Sequence, residues 1–234
     1  MNAIAIAESK MILRNRLVSG CAILLPLAFG LILYASRDTD RPDGAVAGVQ
    51  TVLMAAMGTY VTATTTLAAR RQTLYLKRMR GGAVSDKAII GGLLLPVVAV
   101  NVVQIGVVLG MLASAGAPAN PLLLVVAVML TEAMFAGLAL ATAGFTNSPE
   151  HAQYTTAPLF MAAVAAAVWF QAPSLGGPVA VKRALPGGAL AELVSTAWNG
   201  GSLGSVPVLL AASVGWAVAG ALIARTSFRW EPRR

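Results

Sequence analysis

The chain has 234 residues, of which 57% are hydrophobic and 11% charged, and its mean hydropathy is +0.75. A soluble domain carries about 25% charged residues, so a soluble reading is excluded and most of the length must lie in lipid. The net charge of +8 does not point to nucleic acid, which needs a folded basic surface with stacking aromatics, because here the basic residues sit between apolar runs. The single cysteine, Cys21, excludes an intramolecular disulfide or a zinc cluster.

Uninterrupted apolar runs such as residues 93 to 100 rule out the alternating pattern of a membrane β-barrel, so the fold class is all-α and polytopic. A bilayer core of about 30 Å needs roughly 20 apolar residues per helix, which leaves room for about six spans and no large soluble domain. In chain order, residues 1 to 16 pattern as a helix lying in the interface, with Ile4, Ala7 and Met11 to one side and Glu8, Lys10 and Arg14 largely on another. Spans are predicted at residues 17–35, 46–69, 88–114, 121–145, 154–172 and 205–225. The first follows Lys10, Arg14 and Arg16, but it is long for a signal-peptide core and ends in a poor cleavage site, so it reads as a retained span. The whole of 1–234 is expected to form one transmembrane domain.

The connections differ in character. The first mixes Arg37 and Arg41 with Asp38, Asp40 and Asp43, whereas the second holds Arg70, Arg71, Lys77, Arg78, Arg80 and Lys87 against Asp86 alone. The third is uncharged, the fourth carries Glu150 and His151, and the fifth, 173–204, is long and carries Lys182, Arg183 and Glu192. With six spans and both termini inside, only Arg37, Arg41, Lys182 and Arg183 of the 17 basic residues fall outside, which is the asymmetry the positive-inside rule demands.

The stretch from 67 to 87 is the most informative. On a helix, Leu74, Tyr75 and Met79 can anchor one face at the headgroups while Arg71, Lys77, Arg78 and Arg80 stay wet. Gly81-Gly82 is expected to end it, and Ser85 to cap the next helix. This pattern fits an ordinary loop bound to anionic lipid or a docking helix for a cytoplasmic partner. Glu132 is the only acid deep within a span. A carboxylate there is costly unless paired, hydrated or protonated, so it belongs either to a transport route or to a hydrogen bond with a neighbouring helix through Thr131, Thr142 or a similar group. The second span is dense in hydroxyls, and Thr59, Thr62 and Thr66 share one face at helical spacing. One histidine, His151, cannot build a metalloprotease centre. No Gly-x-x-x-x-Gly-Lys-Ser/Thr loop is present, so the chain lacks the phosphate cradle that ATP hydrolysis requires.

The basic stretch resembles that of the permease subunits of the ABC type 2 exporter family, which typically carry a Leu-Ala-x-Glu-Arg-Glu-x-Gly-Thr-Leu-Lys-Arg-Leu-Arg-like segment between their second and third spans. Leu67, Ala68, Arg71, Leu76, Lys77, Arg78, Met79 and Arg80 match it, and the Leu185-Pro186-Gly187-Gly188-Ala189-Leu190-Ala191-Glu192-Leu193 run is similar to the re-entrant segment before the family's last span. Arg70 and Gln72 stand where glutamates are usual, and Leu74 where glycine is common.

The resemblance implies that segment 70–87 couples to a separate ATPase subunit through Arg71, Tyr75, Lys77, Arg78 and Arg80. It further implies that two permease chains, as a homo- or heterodimer, work with two ATPase chains in a bacterial inner membrane with both termini cytoplasmic. ATP and magnesium would then be bound by the partner, with no cofactor in this chain. Carried over by position, the second and fifth spans would border the pathway and place Thr59, Thr62, Thr66, Met161, Trp169 and Phe170 beside it, together with Glu132. Trp169 and Phe170 fit an interfacial aromatic belt slightly better. The competing reading is an ion- or proton-coupled transporter using Glu132, although no internal repeat of the kind such transporters show is evident in the sequence. A third is a membrane scaffold that transports nothing.

Overall fold

The structure, a computed structural model, describes residues 4–6, 27–28, 30–32, 35, 43–82, 84–228 and 230. The expected interfacial helix over 1–16 and the expected first span over 17–35 therefore lie, but for those few residues, outside the described part. The described residues form helices and no strands. They comprise α1 (Asp43–Gln72), α2 (Tyr75–Arg80), α3 (Asp86–Ala113), α4 (Pro121–Phe145), α5 (Ala152–Gln171), α6 (Val179–Ala184), α7 (Gly188–Asn199) and α8 (Val206–Ser227).

Among the described residues five helices are long and apolar enough to cross a membrane: α1, α3, α4, α5 and α8, the last extended by a 3-10 turn at Leu203–Ser205. They coincide with the five spans predicted from 46 onward, and the chain is built as a multi-pass helical membrane protein. Their ends obey local chemistry. Ser85 caps α3 as expected, its Oγ accepting from the Ala88 amide at 3.3 Å. Asn120 caps α4 through Oδ1 and the Leu123 amide at 3.1 Å, with Pro121 in the first turn, where its missing N–H costs nothing.

The five helices run alternately up and down, so the bundle has two ends. The basic end gathers α2, residues 146–151 and the end of α8. Ile4, Leu67, Leu76, Ile89, Leu93 and Ala143 form a small apolar cluster there, with Phe228 and Trp230 against it. The opposite end gathers residues 114–120 and 172–204. At that end α7 is wedged among α1, α4, α5 and α8, and its residues 188–194 are buried. Its last turn is fixed by backbone bonds from the Ala119 and Asn120 amides to Trp198 and Ala197 carbonyls at 2.9 and 2.8 Å.

The tightest helix pair is α4 with α8. No hydrophobic force drives helices together within lipid, so close backbone approach at small residues does this work. A Cβ on Gly220 would stand 2.7 Å from the Gly137 carbonyl carbon, and one on Gly144 would stand 2.6 Å from Ser227 Oγ. The two helices therefore touch backbone to backbone at two levels. Around Gly215, by contrast, the space is open. We expect Gly220→Val to cost about 1–3 kcal/mol through overpacking, read as a lower Tm of the detergent-purified chain, with Gly215→Ala close to neutral.

Candidate functional site

Midway along the bundle, three helices converge on Glu132. Eleven residues separate it from the start of α4, so it sits about 16 Å along a helix about 37 Å long, near the bilayer midplane. Thr59 Oγ1 donates to Glu132 Oε2, and Asn101 Nδ2 donates to Glu132 Oε1 at 2.7 Å and reaches Thr59 Oγ1 at 3.3 Å. All three side chains are buried. The expected partners of Glu132 are thus corrected. Thr131 turns back onto the Ala127 carbonyl of its own helix at 2.7 Å, and Thr142 pairs with the Tyr60 hydroxyl at 3.0 Å.

The backbone makes room for this cluster. Residues Ala56–Val61 form a π-helical turn inside α1, the kind of one-residue insertion that changes which way side chains face. Gly58 lies in it, and a Cβ there would collide with Asn101 Oδ1. The same turn separates the threonines expected on one face. Thr59 points into the core, whereas Thr62 and Thr66 are half-buried, and Thr62 Oγ1 donates to the Met57 carbonyl at 3.3 Å. Beyond the turn the buried face of α1 carries Ala63, Thr64, Leu67, Ala68 and Arg71. Asn101 was not singled out from the sequence. The amides of Asn101 and Gln104 within the otherwise apolar run of α3 were the signal that could have found it.

At the basic end, α1 and α2 are separated by Thr73 and Leu74. Leu74 adopts the left-handed conformation, φ 57° and ψ 15°, and is the only residue other than glycine with positive φ among those described. The turn that glycine favours is therefore kept although leucine occupies it. Leu76 is fully buried beneath α2, while Lys77, Arg78 and Arg80 lie at the surface and Tyr75 is half-buried. Arg70 stands over the Tyr75 ring at 5.3 Å, and Arg80 meets Asp86 at 3.4 Å and the Trp230 ring at 5.1 Å. As expected, α2 stops at Gly81 and Gly82, whose amides reach the Lys77 and Met79 carbonyls.

Arg71 departs from its expected place in water: it is 2% exposed. Its Nη1 donates to the Ala143 carbonyl at 2.9 Å and its Nη2 to the Thr146 carbonyl. These carbonyls belong to the last turn of α4 and its cap, where a helix leaves acceptors unpaired and carries partial negative charge. A buried guanidinium from α1 thus caps α4.

The remaining expected pathway residues are scattered. Met161 is exposed on the outer face of α5. Trp169 and Phe170 are half-buried at its far end. Trp169 anchors the following segment: its Nε1 donates to the Gly176 carbonyl at 3.0 Å, its carbonyl accepts from Lys182 Nζ at 3.1 Å, and the same ammonium lies 5.2 Å from its ring. Arg183 grips Glu192 through two bonds of 2.6 and 2.5 Å. The hydrogen bonds to Glu192 raise the Arg183 pKa above its ordinary value. Among the described residues no cluster of His, Cys, Asp and Glu could hold a metal ion.

Comparison with known proteins brought no match: no family model, no curated protein and no solved structure corresponds to this chain.

Two measurements probe this geometry. Glu132→Leu leaves the buried Thr59 hydroxyl without its acceptor and Asn101 Nδ2 with only its longer bond to Thr59, at about 1–3 kcal/mol, whereas Glu132→Leu combined with Asn101→Leu and Thr59→Val recovers part of that loss. Thermal unfolding of the parent and these two variants reads the recovery. Leu74→Gly removes left-handed strain worth about 1 kcal/mol, less what the glycine loses in chain entropy, and we expect an unchanged or raised Tm, whereas the β-branched Leu74→Val should lower it.

Proposed function

We propose that this chain is the membrane-spanning subunit of an ATP-driven exporter, in which α2 and the turn before it dock on a separate ATPase subunit. The observation that carries the reading is the basic connection itself: a two-turn helix between two spans, fastened from beneath by Leu76 and presenting Lys77, Arg78 and Arg80 outward. A loop that merely neutralises lipid needs no such fixed form. The matches at Leu67, Ala68, Arg71 and the positions from 76 to 80 give the same reading from the sequence. In this reading the basic end is cytoplasmic in a bacterial inner membrane, the residues before 43 supply the interfacial helix and a sixth span, and ATP and magnesium are bound by the partner.

Segment 173–204 is then the re-entrant element on the outer side. With 12 residues, α7 is about 18 Å long, too short to cross the bilayer core. It begins at Gly187, which abuts the Ala163 carbonyl, eight residues and thus about 12 Å in from the end of α5. A second permease chain is expected along α5, as the resemblance implies; α5 and α8 both bury far less of their surface than α1, α3 or α4. The apolar, weakly charged spans suit a hydrophobic or amphipathic cargo such as a drug, lipid or peptide.

The ion-coupled alternative rests on the burial of Glu132. Both oxygens of Glu132 are occupied by neighbouring helices, which favours an interhelical tie over a carrier site. Export that persists with ATP depleted and follows a pH gradient would restore the alternative.

The chain alone should hydrolyse no ATP and should co-purify with an ATPase subunit. Reversing charge at Lys77, Arg78 and Arg80 together should leave hydrolysis running while export is lost. Unchanged export after the triple reversal, measured in proteoliposomes, would sink the mechanism.

A further inference from the structure

The basic connection touches two helices in different ways. Toward α3 the polar contact is the surface pair of Arg80 and Asp86, both about half exposed, and such a pair holds little. Toward α4 the contact is Arg71, whose buried guanidinium bonds two carbonyls at the helix end. Removing one partner from a buried charged arrangement of this kind is costly, because the remaining groups cannot be rehydrated. Arg71, in the last turn of α1, lies three residues before the left-handed Leu74, and Leu74 donates its amide to the Arg71 carbonyl at 3.0 Å.

The tie to α4 continues upward. Tyr60 reaches Thr142, and Thr59 reaches Glu132, so α1 and α4 are pinned at three levels. On its other side α4 is locked to α8 at Gly137 and Gly144. Thr146, whose carbonyl Arg71 holds, also bonds Thr155 of α5 through its hydroxyl at 2.8 Å.

We propose that Arg71 is a positioning residue that makes α4, and with it α8, follow the basic connection as one body, so that displacement of α2 is delivered to the α4 and α8 pair. This rests on the exporter reading for its purpose, while the tie itself is a property of the chain alone.

The test uses the full chain in nanodiscs, with Cys21→Ser and spin labels at Gly82→Cys and Asn147→Cys. The expected result is one narrow distance population that stays in place when the ATPase partner binds nucleotide. Arg71→Ala should broaden it, and should lower the substrate moved per ATP hydrolysed by about tenfold with hydrolysis itself intact. Arg71→Lys, which keeps the charge and one donor, should restore most of both. A merely structural role would lower expression and hydrolysis together and would leave that ratio unchanged.

The proposal is overturned if Arg71→Ala leaves the distance population as narrow as in the parent, or if the parent distance shifts with nucleotide. Should Arg71→Ala fail to accumulate, Arg71→Gln takes its place in both measurements. If no ATPase subunit binds, the exporter reading falls, while the distance measurement on the chain alone still decides the tie.

Discussion

A polar group buried in a bilayer must find its partner within the protein, and among the described residues several such contacts from other helices converge on α4. Glu132 takes donors from α1 and α3, Thr142 takes the Tyr60 hydroxyl, and the Ala143 and Thr146 carbonyls take the Arg71 guanidinium. Ser227 of α8 reaches the Ala141 carbonyl at 3.4 Å. With apolar packing nearly indifferent between lipid and protein, these directed contacts specify which helix lies where. Glu132 costs energy by being buried, and in return it fixes the register of three helices at one height.

The departures from regular helix fall where these contacts need them. The π-turn at Ala56–Val61 re-aims Thr59, Gly58 within it admits the Asn101 amide, and Leu74 bends the chain sharply at the end of α1. Local strain of this sort persists only where the surroundings over-determine it. Here those surroundings are the Arg71 cap on one side and the buried Leu76 on the other. The basic connection is thus a shaped part rather than a slack one.

Long apolar stretches were legible in the sequence because lipid imposes their length, and five of the predicted spans coincide with α1, α3, α4, α5 and α8. Ser85 was legible because an N-cap acts within three residues. The pairing of Glu132 with Thr59 and Asn101 was not, since they are 73 and 31 residues distant and no local pattern says which polar residue meets which. The face shared by Thr59, Thr62 and Thr66 assumed an unbroken 3.6-residue period, and the π-turn interrupts it. Arg71 looked like its basic neighbours because counting charge is blind to which side of a helix carries it. Only the position of the α4 terminus distinguishes it.

The glycine seam between α4 and α8 has a consequence for biosynthesis. Ala141 and Ser227, which meet across it, are 86 residues apart in the chain. At typical rates of translation the later residue emerges on the order of ten seconds after the earlier one. Throughout that interval α4 has its flat, side-chain-poor face turned to lipid or to the insertion machinery, with no partner to lie on. The seam between α4 and α8 therefore closes only once α8 is inserted, long after α4 has entered the membrane.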